Sequence, residues 1–144
     1  MDPLGRLIAL LVAGVSLSLL IIAAALPPNP SGMGTHTGMH LPSCGFLETT
    51  GLPCPSCGMT TSFAWFARGN FLASLYVQPM GFALALSAGL AVWIGFYEAI
   101  TAKPLHRLIG LIPHRYTLWP ALVLAVAAWG WKIAIHMLNI DGWR

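Results

Sequence analysis

The sequence predicts an all-α membrane protein, with three transmembrane helices and two short interfacial or re-entrant helices that follow a cysteine-rich loop. Of its 144 residues, 57% are hydrophobic and only 8% are charged, whereas about a quarter of an ordinary soluble domain is charged. The hydrophobic residues fall into three long stretches, each near the roughly 20 residues that cross a bilayer. We therefore expect residues 1–144 to form one integral membrane domain in contact with lipid. The net charge of +3 is too small to indicate a nucleic-acid partner.

The three apolar stretches are predicted to span the membrane. Pro27 follows the first stretch and Pro104 closely follows the second, and proline does not continue a helix. Pro120 is expected in the first turn of the third stretch, where its missing N–H is tolerated. The first stretch could instead be a signal peptide, because Ala23–Ala25 resembles a cleavage site, but it exceeds the roughly 7–15 residues of a signal core. The expected spans are residues 4–26, 80–102 and 118–139.

Basic residues predict the orientation of these spans. The short connection between the second and third spans carries Lys103, Arg107 and Arg115, and short loops rich in Lys and Arg stay in the cytoplasm. The N-terminus with Arg6 is then also cytoplasmic, because two spans separate it from that connection. We therefore expect residues 27–79, which include the cysteine loop, to lie on the extracytoplasmic side.

Residues 60–77 are apolar enough to resemble a fourth span, which would reverse the side of the cysteine loop. However, Arg68, Gly69 and Asn70 interrupt this stretch, and glycine followed by asparagine is typical of a helix end and a new N-cap. We expect two short helices here, lying at or dipping into the membrane interface.

The loop before these helices collects the metal-binding side chains of the chain. The spacing is His36-x3-His40-x3-Cys44-x9-Cys54-x2-Cys57. A C-x2-C pair can direct two thiolates at one ion, and Cys44 with one histidine would complete a tetrahedral Cys3His zinc site. His40 is the histidine nearer in sequence to the cysteines. We expect both histidines in irregular chain that folds over the cysteines.

Two other ligand chemistries remain open for this loop. Cys54 and Cys57 have the C-x-x-C form of a redox dithiol, which would leave Cys44 unpaired and make the protein a thiol oxidoreductase. A copper site is the third interpretation, because thioethers, imidazoles and a thiolate suit Cu(I). Its ligands would be Met33, His36, Met39, His40 and Cys44.

Lys132 and His136 share one face of the third span, because they are four residues apart. The simpler interpretation is that Lys132 extends to the lipid headgroups and His136 lies at the interface. The alternative is that His136 supplies the fourth metal ligand, or that Lys132 stabilises a cysteine thiolate.

Between Cys44 and Met80, a lone cysteine is followed by a set of motif residues: Gly51, Pro53, Cys54, Pro55, Cys57, Gly58, Thr60, Gly69, Asn70 and Pro79. This segment resembles an uncharacterised family of small bacterial membrane proteins, domain of unknown function 2752. Two positions depart from the family pattern: Thr61 replaces an arginine and Gln78 replaces an asparagine. The resemblance implies the inner membrane of a bacterium and no established activity, and the missing arginine puts in doubt any anion or partner contact made there.

No catalytic arrangement is visible in the sequence. The four acidic residues are not paired at a useful spacing, and neither a Ser/His/Asp set nor a phosphate-binding glycine loop is present. We therefore expect a non-enzymatic protein whose metal site holds its loop, and which acts as an accessory or interaction subunit of a larger membrane complex. Thiol redox chemistry and copper handling are the alternatives.

Overall fold

The computed structural model describes residues 3–40, 42–105 and 113–143, and within these ranges the chain is entirely helical, with no strand. This confirms the predicted all-α class. A 3-10 helix covers Thr35–Met39. The α-helices are α1 Pro3–Ala25, α2 Gly45–Thr50, α3 Met59–Ala67, α4 Phe71–Val77, α5 Pro79–Thr101 and α6 His114–Met137.

Three of these helices, α1, α5 and α6, are long and apolar enough to cross a membrane. The first two agree with the predicted spans to within one residue at each end. The third helix begins at His114, earlier than predicted, and Pro113 precedes its first turn. Pro120, which was expected in the first turn, lies inside the helix. Of the basic residues used to orient the spans, Arg107 lies outside the described residues.

Close packing of α1 against α5 is the main contact between two spans. Ala9 and Ala13 of α1 are buried, and a Cβ on Gly95 would lie only 2.7 Å from both the Ala13 Cβ and the Ala9 carbonyl oxygen. Small residues at this crossing let the two backbones approach. One Arg6 Nη donates to the Ala99 carbonyl at 2.7 Å and ties the start of α1 to the end of α5.

The helices α3 and α4 form a hairpin that packs on α5, as the break predicted at residues 68–70 requires. Gly69 takes a left-handed conformation, with φ of 79°, and the Asn70 side chain accepts from the Ala73 backbone N–H at 3.1 Å. The buried Ser62 and Ser74 hydroxyls lie 2.8 Å apart, and each also donates to the carbonyl of the other residue. The hairpin is therefore a rigid pair of short helices.

The loop between α1 and α3 contains more regular structure than we expected. The sequence did not indicate α2, a helix of one and a half turns that the Thr49 and Thr50 hydroxyls support by bonding preceding carbonyls. The prediction that the two loop histidines lie in irregular chain was wrong for His36, which lies in the 3-10 helix. Gly34, with φ of 80°, turns the chain into that helix.

The chain beyond α6 folds back and buries Lys132. Its side chain has 0% exposure and lies 3.5 Å from the Asp141 carboxylate, and its Nζ donates to the Gly32 carbonyl at 3.2 Å. The prediction that Lys132 extends to the headgroups was therefore wrong, because the returning segment supplies a carboxylate that the helix itself does not. Tyr76 holds the same segment, since its hydroxyl donates to the Ile140 carbonyl at 2.7 Å.

Replacement of Gly95 by leucine should weaken the α1–α5 contact. The added side chain would overlap Ala13 and the Ala9 carbonyl, and overpacking of this kind costs about 1–3 kcal/mol. We expect a lower midpoint of thermal unfolding, measured by circular dichroism in detergent.

The matched control is Gly130→Leu in α6, where nothing lies within 4 Å of an added Cβ. An equal loss of stability in both variants would contradict the assigned role of Gly95.

Candidate metal centre

Three cysteines converge in the loop between α1 and α3. The Cys54 sulfur lies 3.3 Å from the Cys44 sulfur and 3.3 Å from the Cys57 sulfur, and all three sulfurs lie within 4.8 Å of one another. All three residues are free cysteines. Of the described histidine, cysteine, aspartate and glutamate residues, these three alone form a group able to hold a metal ion.

Local turns direct the sulfurs toward a common point. Cys44 precedes α2 with an extended backbone and caps that helix. The Cys57 N–H donates to the Cys54 carbonyl at 3.0 Å, which closes the C-x2-C turn. Gly58 then enters α3 with φ of 84°, a left-handed conformation that favours glycine. A Cβ there would also lie 2.8 Å from the Gly32 carbonyl oxygen, so the turn needs glycine for two independent reasons.

Two side chains anchor the cysteine turn to the longer helices. The Gln78 amide donates to the Pro55 carbonyl at 2.9 Å, and the Trp129 indole N–H donates to the Pro53 carbonyl at 3.0 Å. Gln78 is fully buried and is one of the two departures from the family pattern. Its side chain therefore positions the turn between Cys54 and Cys57.

The other departure, Thr61, is also structural here. Its side chain is fully buried, and its hydroxyl lies 2.8 Å from that of Thr35. Thr35 in turn accepts from the Asn29 backbone N–H at 3.0 Å. The pair of threonines fixes the 3-10 helix that carries His36 on the start of α3.

Of the two predicted histidine ligands, His36 is the one that shares a cavity with the cysteines, and neither histidine belongs to the group that the three sulfurs form. The His36 Nε2 lies 3.2 Å from the Pro42 carbonyl oxygen. Because a carbonyl oxygen only accepts, Nε2 carries the proton and Nδ1 keeps its lone pair. His40 is exposed, with a left-handed backbone at the end of the 3-10 helix.

Lys132 and His136, the site candidates predicted on the third span, both belong to α6. His136 Nδ1 lies 2.7 Å from an Asp141 carboxylate oxygen, so Asp141 holds its ring. Lys132 contacts the turn, since its Cε is 3.3 Å from the position of a Cβ on Gly58. The structure therefore places Lys132 next to the cysteine group and pairs His136 with a carboxylate.

Of the residues of the copper interpretation, the side chain of Met39 lies outside the described part of the structure, and the other four do not share one lining. His36 and Cys44 line the cavity, but His40 is exposed, and the methionine on the cavity wall is Met59 rather than Met33. Nothing in the sequence distinguished Met59 from the other methionines, because its position depends on the packing of α3 against α1.

The thiols of the C-x-x-C pair differ in acidity. Burial opposes ionisation of Cys54, but hydrogen bonds from the Ser56 hydroxyl, from the Cys57 and Cys44 thiols and from the Ser56 N–H outweigh it and lower its pKa to about 7. Burial, together with the two neighbouring sulfurs, raises the pKa of Cys57 to about 12. Without a metal, Cys54 is therefore the more acidic thiol of the C-x-x-C pair.

An apolar cavity of about 530 Å³ adjoins the cysteines. The last turns of α1 form one wall, with Leu19, Ile22, Ala23 and Leu26, and the start of α3 contributes Met59, Thr60 and Phe63. The cysteines, His36 and Ser56 complete the lining. The sequence analysis did not identify this cavity, since its α1 residues are ordinary members of an apolar helix.

These features define an all-helical protein with three membrane-length helices and a three-cysteine group able to hold a metal ion. The family model described as "Protein of unknown function (DUF2752)" matches residues 44–93, a range that begins at Cys44 and ends within α5. This match confirms the resemblance inferred from the cysteine motif. No curated protein and no solved structure matches the chain.

The acidity of Cys54 can be measured on the metal-free protein by site-resolved alkylation with iodoacetamide. With a pKa near 7 rather than the ordinary 9.0, roughly half of Cys54 is thiolate at neutral pH, against about 1% for an ordinary thiol. We expect its alkylation rate to fall as the pH drops below 7, while Cys57 stays protonated and slow. In Ser56→Ala the midpoint for Cys54 should rise; an unchanged midpoint would contradict the assigned cause.

Proposed function

We propose that this protein is a non-enzymatic integral membrane protein whose loop is held by a zinc ion bound to Cys44, Cys54, Cys57 and His36. The single observation that carries the proposal is the convergence of the three sulfurs within 4.8 Å. Zinc sites of the Cys3His type are closed, tetrahedral and structural. The ion would hold the loop between α1 and α3 in one conformation.

The spacing of the sulfurs suits an ion of this size. Zn–S bonds of about 2.3 Å in a tetrahedron place sulfurs about 3.8 Å apart. The two measured separations of 3.3 Å need to increase by only about half an ångström to reach that geometry. The Cys44–Cys54 and Cys54–Cys57 pairs are therefore close to the separation that zinc ligands require.

We infer that His36 is the fourth ligand because it lines the same cavity as the three cysteines and its Nε2 contacts the Pro42 carbonyl. Its ring is not part of the group that the sulfurs form, so it would move toward the ion on binding. Metal-bound histidines typically donate their other ring N–H to a carboxylate or a backbone carbonyl, which fixes the tautomer. His40 lacks such a partner among the described contacts and lies in exposed chain.

Charge also supports a divalent ion at this position. Three thiolates and Zn²⁺ carry a net charge of −1, and Lys132 lies directly behind the turn with its ammonium group fully buried. Because buried charges need partners, a nearby cation favours three ionised sulfurs over three neutral thiols. The Asp141 carboxylate also pairs with this ammonium group, and it keeps Lys132 in place when the sulfurs are protonated.

The purified protein should contain one zinc ion per chain by elemental analysis. Cys44→Ser, Cys54→Ser and Cys57→Ser should each abolish stoichiometric zinc, because each removes a ligand. His36→Ala should lower the affinity at least about tenfold, while its matched control, His40→Ala, keeps the affinity of the parent protein. Cobalt substitution then reports the ligand set through its absorption spectrum.

A metal-free protein with Cys54 and Cys57 joined as a disulfide would reject the zinc proposal. It would favour the second candidate, thiol–disulfide exchange, for which the contrast in acidity between Cys54 and Cys57 is the supporting observation. In that function Cys54 would be the attacking thiol and Cys57 the resolving one.

We place the protein in the inner membrane of a bacterium, with its cysteine loop on the extracytoplasmic side and its N-terminus in the cytoplasm. Lys103 and Arg115 flank the connection between α5 and α6, and the positive-inside rule supports a cytoplasmic location for it. Lipid covers the remaining apolar faces, and a larger membrane complex would provide the protein partner. Exposed aromatic side chains such as Trp93 and Trp119, at 79% and 65% exposure, offer contact surface for lipid and for a protein partner.

Reporter fusions at the two ends of the chain check this orientation. Alkaline phosphatase fused after α6 should be active and a fluorescent protein fused there should be dark, because that end lies outside the cytoplasm. The same two reporters at the N-terminus should give the opposite pattern. Reversed activities would place the cysteine loop in the cytoplasm.

A further inference from the structure

The cavity beside the cysteines has the size and chemistry of a small-molecule site. Its volume of about 530 Å³ falls in the range of roughly 300–1,000 Å³ that is typical of such sites. Apolar side chains form most of its lining, and its polar groups are concentrated on the wall that carries the sulfurs. A closed structural zinc site has no need for an open space of this kind.

The cavity lies against the last turns of α1. Leu19 and Ile22 line it from α1, a helix long and apolar enough to span the membrane. These two side chains are 52% and 50% exposed, so they meet both the cavity and the surrounding lipid. A molecule that enters between them has to be lipid-soluble.

The polar wall is suited to two-electron chemistry. The Cys54 and Cys57 sulfurs are 3.3 Å apart, and a disulfide bond of about 2.05 Å requires them to approach by only about 1.3 Å. Thr60 also lines the cavity and carries a hydroxyl that can donate to a carbonyl oxygen, while the Ser56 hydroxyl contacts the Cys54 sulfur. An acyl chain can neither take electrons from the sulfur pair nor accept a hydrogen bond from a hydroxyl. A quinone can do both, because it has an electron-accepting ring and carbonyl oxygens.

We propose that the cavity binds a lipid-soluble quinone, which oxidises the Cys54–Cys57 pair to a disulfide and thereby releases the metal ion. This proposal rests on the proposed zinc site and assigns its regulation. Two zinc-bound thiolates lose one electron each and form the S–S bond. The quinone takes up both electrons together with two protons from water and becomes a quinol, and zinc leaves because Cys44 and His36 alone do not hold it.

Zinc release from the purified, zinc-loaded protein in nanodiscs tests this proposal. A short-chain benzoquinone such as decylubiquinone is added, and a chromogenic chelator reports the released zinc. We expect release together with a Cys54–Cys57 disulfide identified by mass spectrometry. Ile22→Trp, which fills the cavity, should slow release by the quinone at least tenfold.

Two controls isolate the role of the cavity. Ile21→Trp places the same side chain on the neighbouring position, which is 59% exposed and does not line the cavity, and should behave as the parent protein. The water-soluble thiol oxidant diamide should release zinc from both variants at the same rate. Zinc loading confirms that each variant is folded, and Leu19→Trp replaces Ile22→Trp if that variant does not load.

The outcomes separate this proposal from the zinc proposal. If the purified protein contains no zinc, the proposed metal site is wrong. Formation of the Cys54–Cys57 disulfide by the quinone then tests the cavity reaction alone. A zinc-loaded protein that keeps its metal in the presence of quinone overturns the inference and leaves the metal site intact. Equal release rates in Ile22→Trp and Ile21→Trp also overturn it.

Discussion

The carbonyl of Gly32 is the point at which the polar loop, the cysteine turn and α6 meet. It accepts a hydrogen bond from Lys132 at 3.2 Å, and Gly58 lies so close that a Cβ there would come within 2.8 Å of it. One backbone oxygen thus sets the distance between a charged residue of a span and the turn that carries Cys54 and Cys57. The shape of the cysteine group depends on this contact, because Gly58 directly follows Cys57.

The cost of burying Lys132 explains why the end of the chain folds back. An ammonium group without a partner is expensive away from water, and especially so within a membrane span. Asp141 supplies the opposite charge, and its second carboxylate oxygen holds His136. Asp141 in the segment 138–143 therefore lies where it balances the charge of Lys132 in α6.

The cysteine group lies between two different environments. Behind it are Lys132, Asp141 and the polar backbone of the loop, while in front of it is an apolar cavity walled by α1. An ion held there would have its charge balanced from the polar side and its ligands exposed to lipid-soluble molecules from the other side. A closed zinc site in a soluble domain differs in this respect, because there the protein surrounds the ion on all sides.

The sequence by itself determined the elements that depend on local pattern: the three long helices from their apolar length, the break at residues 68–70 from Gly69 and Asn70, and the three-cysteine group from its spacing. Tertiary structure alone decided that His36 rather than His40 lines the same cavity as the cysteines, that Lys132 is buried, and that this cavity adjoins the site. These features rest on contacts between distant parts of the chain; Lys132 and Gly32 are 100 residues apart. Spacing shows which ligands are close along the chain, but burial and charge pairing are set by whichever segments pack together.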